Sequence, residues 1–127
     1  MPEQYLYEYA LIRVVPRVER EEFINVGVIL FCAKKKFLKL NYTLNATRLY
    51  AVAPQLDLQE LEEHLNAMSS ICAGGKDAGT IGRLDLPSRF RWLTATRSTV
   101  IQPSKVHPGF CEDADLTLEK LHQSLVL

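Results

Sequence analysis

The chain has 127 residues, of which 47% are apolar and 24% are charged, and its formal net charge is zero. A chain of this length buries a core of its own without metal or disulfide cross-links. Its neutrality provides no overall field that would attract nucleic acid or an anionic membrane, and its longest apolar run, Phe23–Cys32, is too short to cross a bilayer. We therefore expect one domain over residues 1–127, with no membrane span and without nucleic acid as the partner.

The three cysteines, Cys32, Cys72 and Cys111, are widely spaced and odd in number. They form no CxxC pair and no Cys/His spacing typical of zinc sites, so we expect free thiols and neither metal nor cofactor. The N-terminal stretch MPEQYLYEYA has no basic start and carries two glutamates, which is not typical of a signal peptide. These features predict a cytoplasmic protein.

Three strands are predicted in the first third of the chain. Tyr5–Val15 alternates between two faces and ends before Pro16, which cannot donate to a ladder. Phe23–Cys32 is apolar on both faces, which predicts a central strand covered on each side. Phe37–Thr43 follows a lysine-rich turn, and the short connections favour a meander. Alternation places on one face of the second strand Val26, Val28, Leu30 and Cys32, and on the other Gly27, Ile29 and Phe31.

The apolar period becomes helical after Asn45. The predicted helices are Ala46–Val52, Leu58–Cys72, Leu86–Thr94 and Asp113–Leu127. The capping residues predicted for the second and the last of these are Asp57 and Asp115. The inward face predicted for the last helix consists of Leu116, Leu118, Leu121, Leu125 and Val126.

Arg97–Gln102 is predicted as a fourth strand. Lys76–Asp85 and Ser104–Phe110 are predicted as loops, the second because His-Pro-Gly is a strong turn signal. The expected fold class is α+β: one domain with an antiparallel sheet of about four strands, on which two longer and one or two short helices pack.

Two blocks, YEYALIRVVPRVEREEFINVGVILFC and RFRWLTATRSTVIQPSKVHPGFCED, resemble the bacterial family known as domain of unknown function 3037. The resemblance covers nearly the whole chain. It implies a cytoplasmic bacterial protein of one domain, with no assigned activity. It also implies an association with kinases similar to the HipA toxin kinase, beside which members are encoded, and hence a regulatory role with a protein partner.

Arg13 is the least expected residue of the first strand, because its neighbours there are apolar. A guanidinium that is buried without a partner costs several kcal/mol, so it must reach solvent, pair with Glu19 or Glu22, or bind an anionic ligand. Asn25 at the entry of the second strand and Gly27 within it indicate a bulge or a close approach of another backbone.

A second polar group follows the third predicted helix and contains Arg97, Ser98, Thr99, Gln102, Ser104, Lys105 and His107. The planar fork of arginine suits phosphate or carboxylate, and hydroxyls and amides add donors. The group predicts either an anion-binding pocket or a solvated basic surface, and no phosphate-binding glycine loop decides between them. His107 is a candidate acid or base near neutral pH, whereas His64 and His122 are interpreted as surface residues.

Aromatic residues also alternate with arginines in the segment RFRW, a combination that suits single-stranded nucleic acid. Phe90 and Trp92 cannot both face outward from one short helix, so at least one is expected in the core.

These residues support three hypotheses. The first is a non-enzymatic binding or regulatory module that partners another protein, because no complete catalytic set is present. The second is a small enzyme or nucleotide-binding protein that acts on a phosphate-bearing substrate. Its parts would be the anion clamp Arg13 and Arg97, the acid/base group Glu19 or His107, and the positioning donors Ser98, Thr99 and Gln102, with Asn25 as a further candidate for ligand binding. The third is an RNA-binding domain, whose affinity would fall steeply with salt.

Overall fold

The computed structural model describes residues 3–97 and 99–127. Its strands are β1 Tyr5–Val14, β2 Ile24–Cys32, β3 Phe37–Tyr42, β4 Ile101–Pro103 and β5 His107–Cys111. Its α-helices are α1 Ala46–Val52, α2 Leu58–Ala73, α3 Gly79–Gly82, α4 Leu86–Leu93 and α5 Ala114–Leu125, with 3₁₀ turns at Val18–Arg20 and Lys76–Ala78. The predicted α+β class is confirmed. Within the described residues, no helix combines the length and the apolar character that a membrane span requires.

The five strands form one antiparallel sheet in the order β3-β2-β1-β4, and β5 also pairs with β1. The predicted meander of the first three strands is confirmed. β4 pairs with Ile12–Val14 and β5 with Tyr5–Tyr9, so both lie end to end along the edge of β1 that β2 leaves free. Ser104 fills the gap between them, because its Oγ accepts from the backbone N–H of Leu11 and donates to the carbonyl of Lys105.

Helices cover both faces of the sheet. On one face, buried side chains of β1, β2 and β3 share a core with α1, α2 and α4, the members on β1 being Ala10, Ile12 and Val14. On the other face, Val28, Leu30 and Cys32 of β2 pack with Leu118 of α5. The prediction that the second strand is covered on both sides is confirmed, and each face owes its cover to a helix with an apolar stripe.

A bulge in β2 changes the predicted faces. The pairing of β1 with β2 passes from Ile12↔Gly27 to Arg13↔Asn25, so Val26 has no partner on β1. Val26 therefore joins the core under α1, α2 and α4, and the prediction that it shares a face with Val28 is wrong. The indication of a bulge from Asn25 and Gly27 is confirmed, because one extra residue shifts the face of everything before it.

The segment after Arg97 also differs from the prediction. The fourth strand begins only at Ile101, and residues predicted as a loop form β5. His-Pro-Gly does not turn the chain here, because β5 is an edge strand, the one place where proline within a strand costs no ladder hydrogen bond. The predicted loop Lys76–Asp85 contains a 3₁₀ turn and the single-turn helix α3.

The last helix is shifted relative to its prediction. Asp113, not Asp115, is the cap, since its side chain accepts from the backbone N–H of Leu116. Asp115 instead pairs with Lys39 at 3.5 Å. Leu116, predicted to face inward, is 48% exposed, and Leu125 is exposed as well. The cap of α2 is as predicted, with Asp57 accepting from the N–H of Glu60.

The three cysteines are buried and unpaired, as predicted. Cys72 lies on the buried face of α2 in the larger core, and burial raises the pKa of its thiol to about 12. Cys32 and Cys111 lie in the core under α5, and burial also raises the pKa of Cys111. A thiol with a raised pKa carries little thiolate at neutral pH, so Cys72 and Cys111 serve packing rather than nucleophilic chemistry.

Candidate functional site

Three of the predicted site residues form a polar row across the sheet. Arg13 of β1 is the register partner of Asn25 on β2 and of Gln102 on β4. All three lie on the face that α5 covers, beyond the end of that helix, where the Asn25 amide donates to the carbonyl of Leu125 at 3.3 Å. The guanidinium of Arg13 stacks on the ring of Phe23, 4.0 Å from its centroid.

Arg13 forms no ion pair within the described residues. Glu19 bonds to Arg17 at 2.8 Å, and Glu22 bonds to Arg20. A backbone hydrogen bond at its own position and the bond from Arg17 lower the pKa of the Glu19 carboxyl. The predicted pairing of Arg13 with Glu19 or Glu22 is therefore wrong. The 3₁₀ turn gives each glutamate an arginine two residues away, and the Phe23 ring takes up the Arg13 cation instead.

Arg97 lies on the opposite face and caps α4. Its guanidinium donates to the carbonyls of Trp92, Leu93 and Ala95 and stacks on the Trp92 ring, 4.6 Å from the centroid. Burial lowers the pKa of this group. It lines a cavity of 40 Å³ together with Met68 and Leu93, which belong to the core under α2 and α4. Arg97 thus closes a helix C-terminus, a usual role for a cation at that position.

The remaining predicted residues are dispersed. Thr99 bonds to the carbonyl of Ile101, and Gln102 donates to the carbonyl of Thr99. The His107 ring packs against Tyr9 with centroids 5.4 Å apart, on the α5 side of the sheet. Ser98 lies outside the described residues. Since Arg13 and Arg97 face opposite sides, the described residues do not assemble the anion clamp that the second hypothesis requires.

We expect Arg97→Ala to lower the free energy of unfolding by about 1–2 kcal/mol, because three carbonyls lose a charged donor. Arg91→Ala is the matched control on the same helix, since Arg91 is exposed and makes no side-chain hydrogen bond among the described residues. Its effect should stay within about 0.5 kcal/mol. Urea unfolding followed by circular dichroism measures both. Equal stability of the two variants would show that Arg97 does not stabilise the helix end, and Arg97 would then again be a candidate for ligand binding.

His64, interpreted from the sequence as a surface residue, lines a groove of 400 Å³ with Asp57, Glu60 and Thr99. Burial and the nearby Arg97 lower the pKa of its imidazole, while Glu60 acts in the opposite direction. His64 is therefore mostly neutral at pH 7. Helical periodicity placed it on the acidic face of α2, and no local signal indicated that the segment before β4 would lie alongside it. Among the described residues, no group of three or more His, Cys, Asp or Glu side chains is placed to hold a metal ion.

The aromatic residues of RFRW divide as predicted. Phe90 is buried and stacks on Phe31 with ring centroids 5.2 Å apart, whereas Trp92 is 41% exposed and lies under Arg97. One exposed ring already covered by a guanidinium offers little stacking surface to a nucleic acid base.

An apolar patch at the start of β1 was not predicted. Leu6 and Phe110 are register partners on β1 and β5 and are 53% and 67% exposed. They share the sheet face on which α2 and α4 pack, but these helices lie over β3 and leave this corner bare. Pro108, exposed and two residues from Phe110, continues the patch along β5. We call Leu6, Pro108 and Phe110 the β1–β5 patch. Sequence patterns did not indicate it, because Pro108 and Phe110 were predicted to lie in a loop.

The comparisons give a family but no characterised relative. No curated protein and no solved structure matches the chain. A family model described as "Protein of unknown function (DUF3037)" matches residues 9–126, nearly the whole chain and both of the blocks that carry the resemblance. The chain therefore belongs to the DUF3037 family.

Proposed function

We propose that this chain is a cytoplasmic, non-enzymatic binding module that docks on another protein through the β1–β5 patch. The observation that carries the proposal is Phe110, a large aromatic side chain that is 67% exposed beside an exposed register partner, Leu6. Single exposed apolar residues are ordinary on protein surfaces. Adjacent ones on a bare sheet corner are typical of an interaction surface, and aromatic side chains are frequent anchors of interfaces.

The chemistry of β5 favours docking by side chains over extension of the sheet. Pro108 occupies the second position of β5 and has no N–H to offer a further strand, and proline at an edge is a common obstacle to strand addition. We infer that the partner presents an apolar pocket that receives Phe110, rather than a strand that pairs with β5.

A charged residue beside the patch indicates which charge the rim of the partner's pocket should carry. Glu8, the register partner of Pro108, lies on the same sheet face as Leu6 and forms no salt bridge within the described residues. A carboxylate at the margin of an apolar contact is matched by a cation on the other side. The partner we propose is therefore a protein with an apolar pocket and a lysine or arginine at its edge. A kinase similar to the HipA toxin kinase, the partner class that the family resemblance implies, is the first to test.

The test is co-purification with that kinase, followed by calorimetry with Phe110→Ala. We expect the dissociation constant to rise about tenfold or more, as for a central aromatic anchor. Val52→Ala is the matched control, because Val52 is also an exposed apolar residue but lies on α1, away from the patch. It should bind like the wild type. Both variants should keep the wild-type melting temperature, since neither side chain is buried.

Two results would refute the proposal. One is unchanged kinase binding by Phe110→Ala, or no binding by the wild type. The other is a dimer in light scattering that Phe110→Ala converts to a monomer, since a second copy of the chain would then occupy the patch.

A further inference from the structure

The sheet has a second, unrelated feature at its opposite end, where β2 begins and β3 ends. Three buried side-chain polar atoms have no hydrogen-bond partner within residues 3–97 and 99–127: Arg13 Nε, Asn25 Oδ1 and His122 Nδ1. A buried polar group that is left without a hydrogen bond costs about 1–3 kcal/mol of folding free energy. About nine-tenths or more of the buried polar groups in folded proteins have a partner. A partner supplied from outside the chain would remove this cost.

The residues that carry these atoms are connected through the sheet and the end of α5, and Asn25 is the one that lines a cavity there. Arg13 and Asn25 are register partners. Asn25 is held by the carbonyl of Leu125, one helical turn beyond His122. The other ring nitrogen of His122 lies 2.8 Å from the hydroxyl of Thr43.

An open cavity of 180 Å³ lies at this point. Its polar wall is formed by Asn25, Thr43, Asn45 and Arg48, and the rest of its wall is apolar. A water molecule takes about 30 Å³ in the liquid, so the volume suits a few waters or one small molecule. We call this space the sheet-end cavity.

One cationic side chain lines the sheet-end cavity. It is Arg48, and no side-chain carboxylate of the described residues lies within 4.0 Å of its guanidinium. One Nη of Arg48 donates to the carbonyl of Val126 at 2.9 Å, which fixes the side chain in place. Within the described part of the chain, no acceptor is bonded to its remaining donors or to the side-chain N–H groups of Asn45, whose oxygen already accepts from the Arg48 N–H.

The lining also contains a hydrogen-bond acceptor that needs a donor, the side-chain oxygen of Asn25. Asn25 cannot rotate its amide to present N–H to the cavity, because that group already binds Leu125, so its oxygen requires a donor. The lining groups therefore match a ligand that carries both a negative charge and a hydroxyl group.

We propose that the sheet-end cavity binds a small oxyanion that carries an O–H group, with Arg48 holding the charge and Asn25 Oδ1 accepting from the hydroxyl. Hydrogen phosphate and hydroxycarboxylates share this chemistry. Sulfate and acetate have the charge without the hydroxyl and should bind less well, because the Asn25 oxygen would face another acceptor.

The test is the melting temperature of the full chain at pH 7.5 and constant ionic strength. Phosphate should raise it in proportion to the logarithm of its concentration, as for a ligand of the folded state, and sulfate should raise it less. Glycolate against acetate makes the same comparison for carboxylates and identifies which oxyanion fits. Asn25→Asp should weaken phosphate binding tenfold or more, since it adds a charge of the wrong sign. Gln59→Glu, the same change in charge on the exposed face of α2, should leave it unchanged.

Nuclear magnetic resonance keeps the test decisive if Asn25→Asp does not fold. On the wild-type chain, phosphate should shift the side-chain amide signals of Asn25 and leave those of Asn66 in place. Equal stabilisation by phosphate and sulfate, unshifted Asn25 signals, or full phosphate binding by Asn25→Asp would each overturn the proposal.

Discussion

Replacing Leu118 by alanine is expected to lower the free energy of unfolding by about 2–5 kcal/mol, the range for a leucine removed from a packed core. Leu118 is 0% exposed and lies between α5 and the buried residues of β2. α5 is the helix that covers this face of the sheet in the described residues, so no second helix compensates for a cavity beneath it. Chemical unfolding followed by far-ultraviolet circular dichroism measures the change.

Leu116→Ala on the same helix is the control. Leu116 is two residues away and 48% exposed, so its replacement should change stability by no more than about 0.5 kcal/mol. Both substitutions raise helix propensity equally, and the difference between them therefore reports burial alone. If Leu116→Ala cost as much as Leu118→Ala, the helix would present the face predicted from the sequence, with both leucines inward.

That contrast shows what helical periodicity can and cannot predict. The apolar stripe established that an amphipathic helix lies near the C-terminus. Its phase was misjudged because five apolar residues spread over more than one face, and the acidic cap that fixes the helix start was assigned to Asp115 instead of Asp113. Asp115 has a different role, since it lies near Lys39 on β3, a residue far away in sequence.

The meander was predictable from local patterns because each connection is short and each strand alternates. β5 was not, because it is a strand by virtue of its pairing with β1, which lies about a hundred residues earlier. Proline and glycine in His107–Cys111 carry a turn signal, and only a tertiary partner overrides it. The β1–β5 patch depends on that pairing and was missed with it.

The polar row was partly visible in the sequence. Arg13 and Asn25 are conspicuous because polar side chains within apolar strands need a reason, and both belong to the row. The alignment of Asn25 with Arg13 and Gln102 depends on the bulge at Val26, whose position no local pattern fixes. Arg97 was an equally strong candidate for ligand binding in the sequence. Its guanidinium donors, however, bond to carbonyls at the C-terminus of α4.

Gly27→Ala is expected to lower the free energy of unfolding by about 1–3 kcal/mol, the usual range for one extra methyl group in a packed interior. A Cβ at Gly27 would lie 2.8 Å from the carbonyl oxygen of Asn41 and 3.1 Å from the Cβ of Tyr42. Both belong to β3, whose backbone is held by the ladder with β2. The strands would have to separate next to the bulge, and the gain from a stiffer unfolded chain is smaller than this cost.

Gly109→Ala separates a backbone clash from a side-chain one. Its Cβ would meet the hydroxyl end of Tyr7 at 2.5 Å, and that ring is only partly buried, so it can turn aside. We expect Gly109→Ala to cost less than Gly27→Ala in the same unfolding experiment. If Gly109→Ala cost more stability than Gly27→Ala, β2 and β3 would be able to move apart easily beside the bulge. The sheet would then no longer fix the position of Asn25 in the sheet-end cavity. In that case we would expect the wild-type chain to bind phosphate and sulfate equally well.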